Sequence, residues 1–227
     1  DGIRDRDVTG VQTCALPISL VMPKSTFLED AMIMQPLGIM YLAAQLERLG
    51  HQTEFFDLNV DSDPPDEFDQ IWVSATSPQM AEIKRIGKLP YKAKKVLGGA
   101  SVWANPDACK DLGYNLIVGG EADNPEHLKN IMDATGHYYA TVSRTLDWVV
   151  PPVRRWSKKY HSYLYDSNHI KHNCTTMFTS RGCPLECAFC ESGRHGVIWD
   201  RLTRYESLDV VEQQISECQK LGYSALA

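Results

Sequence analysis

From residue 19 onward, short apolar runs alternate with longer segments in which apolar residues recur at helical spacing. The runs predict strands at residues 19–22, 53–58, 70–75, 96–97 and 115–118. The longer segments predict helices at residues 36–49, 79–88, 106–112 and 124–134. Strands that alternate with helices in this way form a parallel sheet covered on both faces, so the predicted fold class is α/β.

Small residues follow three of these strands, at the carboxyl ends where an open parallel sheet leaves a crevice for ligands. The candidate cofactor-binding residues at these ends are Ser74, Thr76, Gly98, Gly99, Gly119, Gly120 and Glu121. Small side chains let a bulky cofactor approach the backbone closely. Tight turns between a strand and a helix also need glycine, so each turn taken alone is equally compatible with a structural role.

Composition narrows the class of protein. The chain has 227 residues, 43% of them hydrophobic and 23% charged, as in a soluble globular protein. The formal net charge of -6 gives no electrostatic reason to expect a nucleic-acid partner. No apolar run approaches the length of a membrane span. Three of the seven cysteines cluster in one loop, which argues against a secreted disulfide framework and predicts a reducing, cytoplasmic setting.

Cys183, Cys187 and Cys190 are separated by three and then two residues, a spacing that lets one short loop bind a single soft metal centre through thiolates. A structural zinc site has four protein ligands. Three thiolates instead suit a four-iron cluster that has one iron left open. A binding module with a zinc knuckle, completed by His195 or Cys174, stays open as an alternative.

Residues 180–190 read Ser-Arg-Gly-Cys-Pro-Leu-Glu-Cys-Ala-Phe-Cys and resemble the cluster loop of radical S-adenosylmethionine (SAM) enzymes. The resemblance implies that Cys183, Cys187 and Cys190 bind a 4Fe-4S cluster, and that the backbone around Phe189 meets the adenine of SAM. It also implies an enzyme that cleaves SAM reductively to start radical chemistry, with an external electron donor such as flavodoxin or ferredoxin. The substrate, a small molecule or a peptide, is not identified by the sequence.

Upstream motifs, taken in their order, resemble the cobalamin-binding domain of the cobalamin-dependent radical SAM subclass. These motifs are residues 35–44, 49–51, 74–76, 98–99 and 120–121. The resemblance implies a Rossmann-like (flavodoxin-like), five-stranded cobalamin-binding domain followed by the first βα unit of a TIM-type barrel. The implied reaction is methyl transfer, or ring formation or rearrangement.

The loop after the first strand departs from a common pattern of such domains, in which a histidine ligates cobalt from below. Residues 25–31 contain no histidine. The resemblance therefore implies cobalamin held without a protein histidine ligand. A radical SAM protein whose Rossmann-like domain no longer binds cobalamin is a further alternative.

Four parts are predicted along the chain. Residues 1–18 resemble the translation of a sequencing adapter and are expected to be non-native or disordered. Residues 19–135 are predicted to form the cobalamin-binding domain, residues 136–174 a linker, and residues 175–227 the start of a radical SAM domain.

After the cysteine loop, Ser207 is predicted to cap a helix. Helical spacing places Leu208, Val211, Ile215 and Cys218 on one face of it. A SAM barrel needs several further βα units, so the chain is expected to be a C-terminally truncated fragment that is inactive by itself.

Overall fold

The structure, a computed structural model, describes residues 17–161, 163–165, 171–185 and 203–227. Its largest sheet contains β1 (Pro17–Met22), β2 (Gln52–Asp57), β3 (Gln70–Ser74), β4 (Lys94–Gly98), β5 (Leu116–Gly120) and β6 (Gly136–Ala140). The spatial order is β2-β1-β3-β4-β5-β6, and all neighbouring strands are parallel. The first five strands follow the flavodoxin-like order, which confirms the predicted Rossmann-like α/β fold.

The sheet has six strands rather than the predicted five, and it extends past both predicted ends of the domain. β1 begins at Pro17, and Ile18 is 0% exposed, so the last two residues of the range 1–18 belong to the sheet, while residues 1–16 lie outside the described part of the chain. β6 lies in the range predicted as a linker and pairs with β5. Its sequence, Gly-His-Tyr-Tyr-Ala, contains no apolar run because an edge strand leaves much of its surface in solvent.

Four helices are described in this part of the chain: α1 (Leu37–Arg48), α2 (Met80–Gly87), α3 (Ala100–Ala104) and α4 (Pro125–Asp133). The predicted helix at residues 106–112 is wrong, because only a single 3₁₀ turn, Asp107–Cys109, forms there. Asp111 and Gly113 adopt φ values of 57° and 89°, which a right-handed helix cannot continue through.

Side chains alternate between the two faces of each strand and form one apolar core on each face. On the first face, Leu20 and Trp72 pack with Met40 of α1 and Leu128 of α4. The second core contains residues of β1, β3, β4 and β5 together with residues of α2 and α3, and Ile83 is its fully buried member from α2. Helices thus cover both faces, as the sequence pattern predicts.

Residues 141–161 cross the outside of α1. The amide of Val153 donates to the Met40 carbonyl at 3.1 Å, and Gln45 Nε2 donates to the Trp148 carbonyl at 2.8 Å. Tyr160 is 7% exposed and belongs to the first core. This crossing segment is therefore an ordered part of the domain.

The last part of the chain contains β7 (Tyr163–Tyr165), β8 (Lys171–Thr175), β9 (Ser180–Arg181), β10 (Arg204–Tyr205), α5 (Leu208–Lys220) and β11 (Ala225–Leu226). β8 pairs antiparallel with β7 and parallel with β11. Because α5 connects back to a strand parallel to β8, β8, α5 and β11 form the βα arrangement expected at the start of a barrel. β9 and β10 form a separate antiparallel pair.

The predicted cap of α5 is present, since Ser207 Oγ accepts from the Val210 amide at 3.4 Å. The predicted apolar face is partly wrong: Cys218 is 1% exposed, but Leu208 is 81% exposed. Gln214 is instead fully buried because its side-chain amide donates to Glu206 and to the Phe178 carbonyl. Hydrogen bonding therefore turns a polar position of the helix inward, which apolar spacing cannot reveal.

Candidate functional site

A cavity of about 450 Å³, the central cavity, lies over the first face of the large sheet at the carboxyl ends of its strands. Leu20, Trp72, Val96 and Val118, one residue each from β1, β3, β4 and β5, form an apolar wall. Leu20, Trp72 and Val96 are directly paired across β1, β3 and β4. Val118 lies two residues beyond Leu116, the partner of Val96, and therefore faces the same side of the sheet. The volume falls in the usual range of small-molecule and cofactor sites.

Five of the predicted cofactor-binding residues line this cavity, and so does the first predicted metal ligand. They are Ser74, Gly98, Gly99, Gly120, Glu121 and Cys183. The structure therefore brings three strand ends and the start of the cysteine motif to one site, although they are spread over more than a hundred residues of sequence.

Thr76 and Gly119, which were also predicted to bind the cofactor, do not line the cavity. Thr76 is exposed, and its amide and hydroxyl both donate to Gln79 Oε1, at 2.9 and 3.2 Å. Gly119 lies inside β5, opposite Tyr139 of β6. Cys187, Phe189 and Cys190 fall outside the described residues.

The glycines around the cavity are of two kinds. Gly99 and Gly120 have φ values near +90°, and a Cβ added to them would lie 2.6 Å from the Ala75 oxygen and 2.0 Å from the Ala140 oxygen. The backbone alone requires glycine at these two positions. An added Cβ would meet only one atom within 4 Å at Gly98, at 3.6 Å, and none at Gly38. At those two positions glycine is not required by the fold, and its effect is to keep the cavity wall open.

Two arginines beside the cysteine motif pair with acids from the loop after β5. Arg181 donates to Asp123 at 2.7 and 3.0 Å, and Arg204 donates to Glu121 at 2.6 and 2.7 Å. Arg204 also donates to the Ser143 carbonyl at 2.9 Å. The carboxylate of Glu121 is thus already engaged by protein, so its place in the cavity wall is not that of a free acid.

Tyr41 connects the cavity wall with a buried carboxyl group. Its ring stacks on Phe178, with centroids 6.1 Å apart and planes 8° from parallel, and its hydroxyl lies 3.0 Å from both Glu206 Oε1 and Gln214 Oε1. The Tyr41 hydroxyl proton can be donated to only one of these oxygens at a time, and Gln214 Nε2 donates to Glu206 Oε2 at 2.6 Å. Burial raises the pKa of Glu206 above its usual value, and burial with the nearby Glu206 also raises the pKa of Tyr41.

Sequence reasoning missed most of the residues that join the site together. Asp123 and Arg204 stand in no motif that marks them as functional, and Tyr41 lies in the motif at residues 35–44 without being singled out there. Arg181 lies in the Ser-Arg-Gly that precedes the first cysteine, but its acidic partner is 58 positions away. The one available signal was the pair of acids directly after β5, at the end of a strand where ligands bind.

The residues present fit a bulky, partly apolar cofactor. The cavity has an apolar wall, it is lined by Gly38 and Gly98, which the backbone does not require to be glycine, and Cys183 lies at it as well. In the part of the chain that the structure describes, no group of three His, Cys, Asp or Glu residues is arranged to hold a metal ion. Two of the three predicted cluster ligands are outside that part. Nor is any described helix long and apolar enough to cross a membrane.

No protein-family model and no curated protein matches the sequence. Solved structures do match. TsrM from Kitasatospora setae, a radical SAM methyltransferase, was solved with tryptophan substrate and a SAM analogue, and it superposes with a TM-score of 0.63 at 15% identity. That match covers 93% of this chain and 47% of TsrM.

OxsB, a cobalamin-dependent SAM radical enzyme solved with aqua-cobalamin bound, superposes with a TM-score of 0.67 at 15% identity. The match covers 91% of this chain and 32% of OxsB. A structure of TsrM with cobalamin and a [4Fe-4S] cluster bound gives a TM-score of 0.62. Over about a third to a half of the length of these neighbours, the chain shares the fold of cobalamin-dependent radical SAM enzymes.

Proposed function

We propose that this chain is part of a cobalamin-dependent radical SAM enzyme, with cobalamin bound in the central cavity and a 4Fe-4S cluster bound by Cys183, Cys187 and Cys190. SAM would occupy the open iron, with its adenine against the backbone around Phe189. The substrate class is a small molecule or a peptide, and the reaction is methyl transfer, or ring formation or rearrangement. An external protein such as flavodoxin or ferredoxin would supply electrons.

The observation that carries this proposal is the meeting of Cys183 with three strand ends in one cavity. A cobalamin carrier alone would not need the cysteine motif at its cofactor site. A zinc knuckle alone would not need a cavity of about 450 Å³ beside it. The two features together support an enzyme in which both cofactors meet.

Each part of the cavity wall has a distinct role in this proposal. The apolar wall of Leu20, Trp72, Val96 and Val118 excludes water from one side of the bound cofactor. Gly98, with Ser74 beside it at the strand ends, leaves room for the corrin ring to approach the backbone. No described residue of the wall is a histidine, and we propose that cobalamin binds without a protein imidazole. When bound, the cluster supplies the electron for reductive cleavage of SAM.

The proposal is tested by anaerobic reconstitution of the chain with iron, sulfide and hydroxocobalamin, followed by metal analysis and absorption spectra. The expected result is about four irons per chain with broad absorption near 400 nm, and cobalamin that stays bound through gel filtration. Cys187→Ala should lose the iron and keep the cobalamin. Cys14→Ala is the matched control, since it removes a thiol outside the motif and should keep both.

Each alternative has its own outcome. Zinc without iron in the wild-type chain, both before and after reconstitution, would support a binding module with a zinc knuckle instead of an enzyme. Iron without cobalamin would indicate a radical SAM protein whose Rossmann-like domain has lost its cofactor.

A further inference from the structure

The two ends of the cysteine segment lie side by side. β9 and β10 pair antiparallel, with Arg181 opposite Arg204, and the Glu206 amide donates to the Thr179 carbonyl at 2.9 Å. The paired strands flank residues 182–203 in the sequence, and that range contains all three cysteines of the motif. The position of this two-stranded ladder determines where the cysteine segment meets the rest of the protein.

The ladder carries two positive charges at directly paired positions. Like charges directly opposite each other destabilise a pair of strands. A ladder of two residue pairs is also too short to be stable without support from outside. Arg181 and Arg204 therefore require charge compensation for the ladder to stay closed.

Two acids from the loop after β5 pair with these arginines. Asp123 accepts from Arg181 and Glu121 accepts from Arg204, in both cases through two hydrogen bonds. The Arg204 and Glu121 side chains are only 2% and 5% exposed, and those of Arg181 and Asp123 are 16% and 12% exposed, so salt screens neither pair strongly. Glu121 and Asp123 directly follow β5, and both line the central cavity.

We propose that Glu121 and Asp123 are positioning residues that dock the cysteine segment against the central cavity. This inference rests on the proposed function, which supplies the cofactors that the docking would bring together. The two acids act through the ladder: they neutralise its arginines, the ladder closes, and Cys183 is held at the cavity wall. Planar, two-bonded arginine–carboxylate pairs fix orientation as well as distance, which suits a positioning role.

The docking is tested first without cofactors, by hydrogen exchange of the Glu206 amide in the whole chain. Asp123→Asn keeps the shape of the side chain and removes its charge, and it should speed this exchange at least about tenfold, because Arg181 then faces Arg204 without its own carboxylate partner. The Val118 amide in β5 should exchange as in wild type, which shows that the sheet remains folded. Unchanged exchange at Glu206 would overturn the proposal.

Two matched variants show whether a change in the exchange rate of the Glu206 amide is caused by the loss of the Asp123 charge. Asp123→Glu retains the charge and should retain most of the slow exchange. Asp63→Asn removes an equally well-formed pair with Arg85, bonded at 2.7 Å through both oxygens but 38–40% exposed and outside the cavity wall, and it should leave the Glu206 amide unaffected. Faster exchange in Asp63→Asn would mean that any loss of charge loosens the ladder, against the proposal.

The consequence for the cofactors is measured on protein reconstituted anaerobically with iron, sulfide and hydroxocobalamin. After reduction, the electron paramagnetic resonance spectrum reports the magnetic coupling between the cluster and cob(II)alamin. Asp123→Asn should change this coupling while iron and cobalamin contents stay at wild-type levels, a signature that simple destabilisation would not produce. An identical spectrum would overturn the positioning role. If wild type takes up neither cofactor, the proposed function fails, and the exchange experiment alone decides whether the acids dock the segment.

Discussion

Replacing Gly98 and Gly99 separately by alanine is expected to separate cofactor binding from folding, although the two glycines are adjacent. Gly99 has φ 90° and ψ -175°, a conformation essentially confined to glycine. A Cβ added there would lie 2.6 Å from the Ala75 oxygen and 2.7 Å from its nitrogen. At Gly98 the nearest atom would be the Val118 oxygen, at 3.6 Å, which is an ordinary contact.

The magnitudes follow from these distances. Holding alanine in the conformation of Gly99 costs about 1–3 kcal/mol, and moving the Ala75 backbone away adds a further cost of about 1–3 kcal/mol. Gly99→Ala should therefore lower the free energy of unfolding by about 2–6 kcal/mol, a large share of the stability of an ordinary domain. Gly98→Ala should leave it unchanged or raise it by about 0.5–1 kcal/mol, because alanine has less backbone entropy to lose on folding.

Gly98→Ala, which leaves the stability of the fold intact, should weaken the binding of hydroxocobalamin. The new methyl group of Gly98→Ala occupies cavity space, and overfilling a packed site by this amount costs about 1–3 kcal/mol. The dissociation constant for hydroxocobalamin should then rise roughly 5- to 150-fold. Urea titration of the cofactor-free protein measures the first quantity, and absorption titration measures the second. A Gly98→Ala protein that binds hydroxocobalamin as tightly as wild type would refute the placement of the cofactor against β4.

Other buried groups and cavity residues give further expectations. Arg204→Met leaves the Glu121 carboxylate buried without its partner and should lower the free energy of unfolding, measured by urea titration, by about 3–5 kcal/mol. Adding Glu121→Leu should recover most of this loss, because no buried charge then remains. Equal losses in the single and the double variant would contradict this expectation. Gly38→Ala should stabilise α1 by up to about 1 kcal/mol yet weaken hydroxocobalamin binding, because its Cβ meets no protein atom and faces the cavity; unchanged affinity would show that the cofactor does not reach α1. The raised pKa of Glu206 means that the folded state binds its proton more tightly than the unfolded state, so this stabilisation is complete below the unfolded pKa of about 4.3 and is lost as pH rises through the folded value. Glu206→Gln, which resembles the protonated acid, should therefore gain stability relative to wild type as the pH rises from acidic to neutral, and a constant difference across that range would show that folding does not shift the pKa of Glu206.

The parallel sheet was predictable because its central strands are buried on both faces and therefore read as continuous apolar runs, as Leu-Ile-Val does in β5. The spacing of Cys183, Cys187 and Cys190 predicts a soft-metal site, because thiolates on one short loop act locally, and this stays a prediction. β6 was missed because an edge strand exposed to solvent carries no such run. The helix predicted at residues 106–112 failed because Asp111 turns left-handed, and helical spacing carries no information on that turn.

The tertiary structure alone decided which residues share the central cavity and which acids pair with Arg181 and Arg204. Arg181 and Asp123 are 58 positions apart, and Arg204 and Glu121 are 83 apart. Their pairing depends on the way β9 and β10 lie over the end of β5. The sequence by itself determined the layers of the fold, because these depend on neighbours within a few residues. The arrangement of the central cavity depends on charged side chains that come together only after the chain has folded, and no local sequence pattern indicates those contacts.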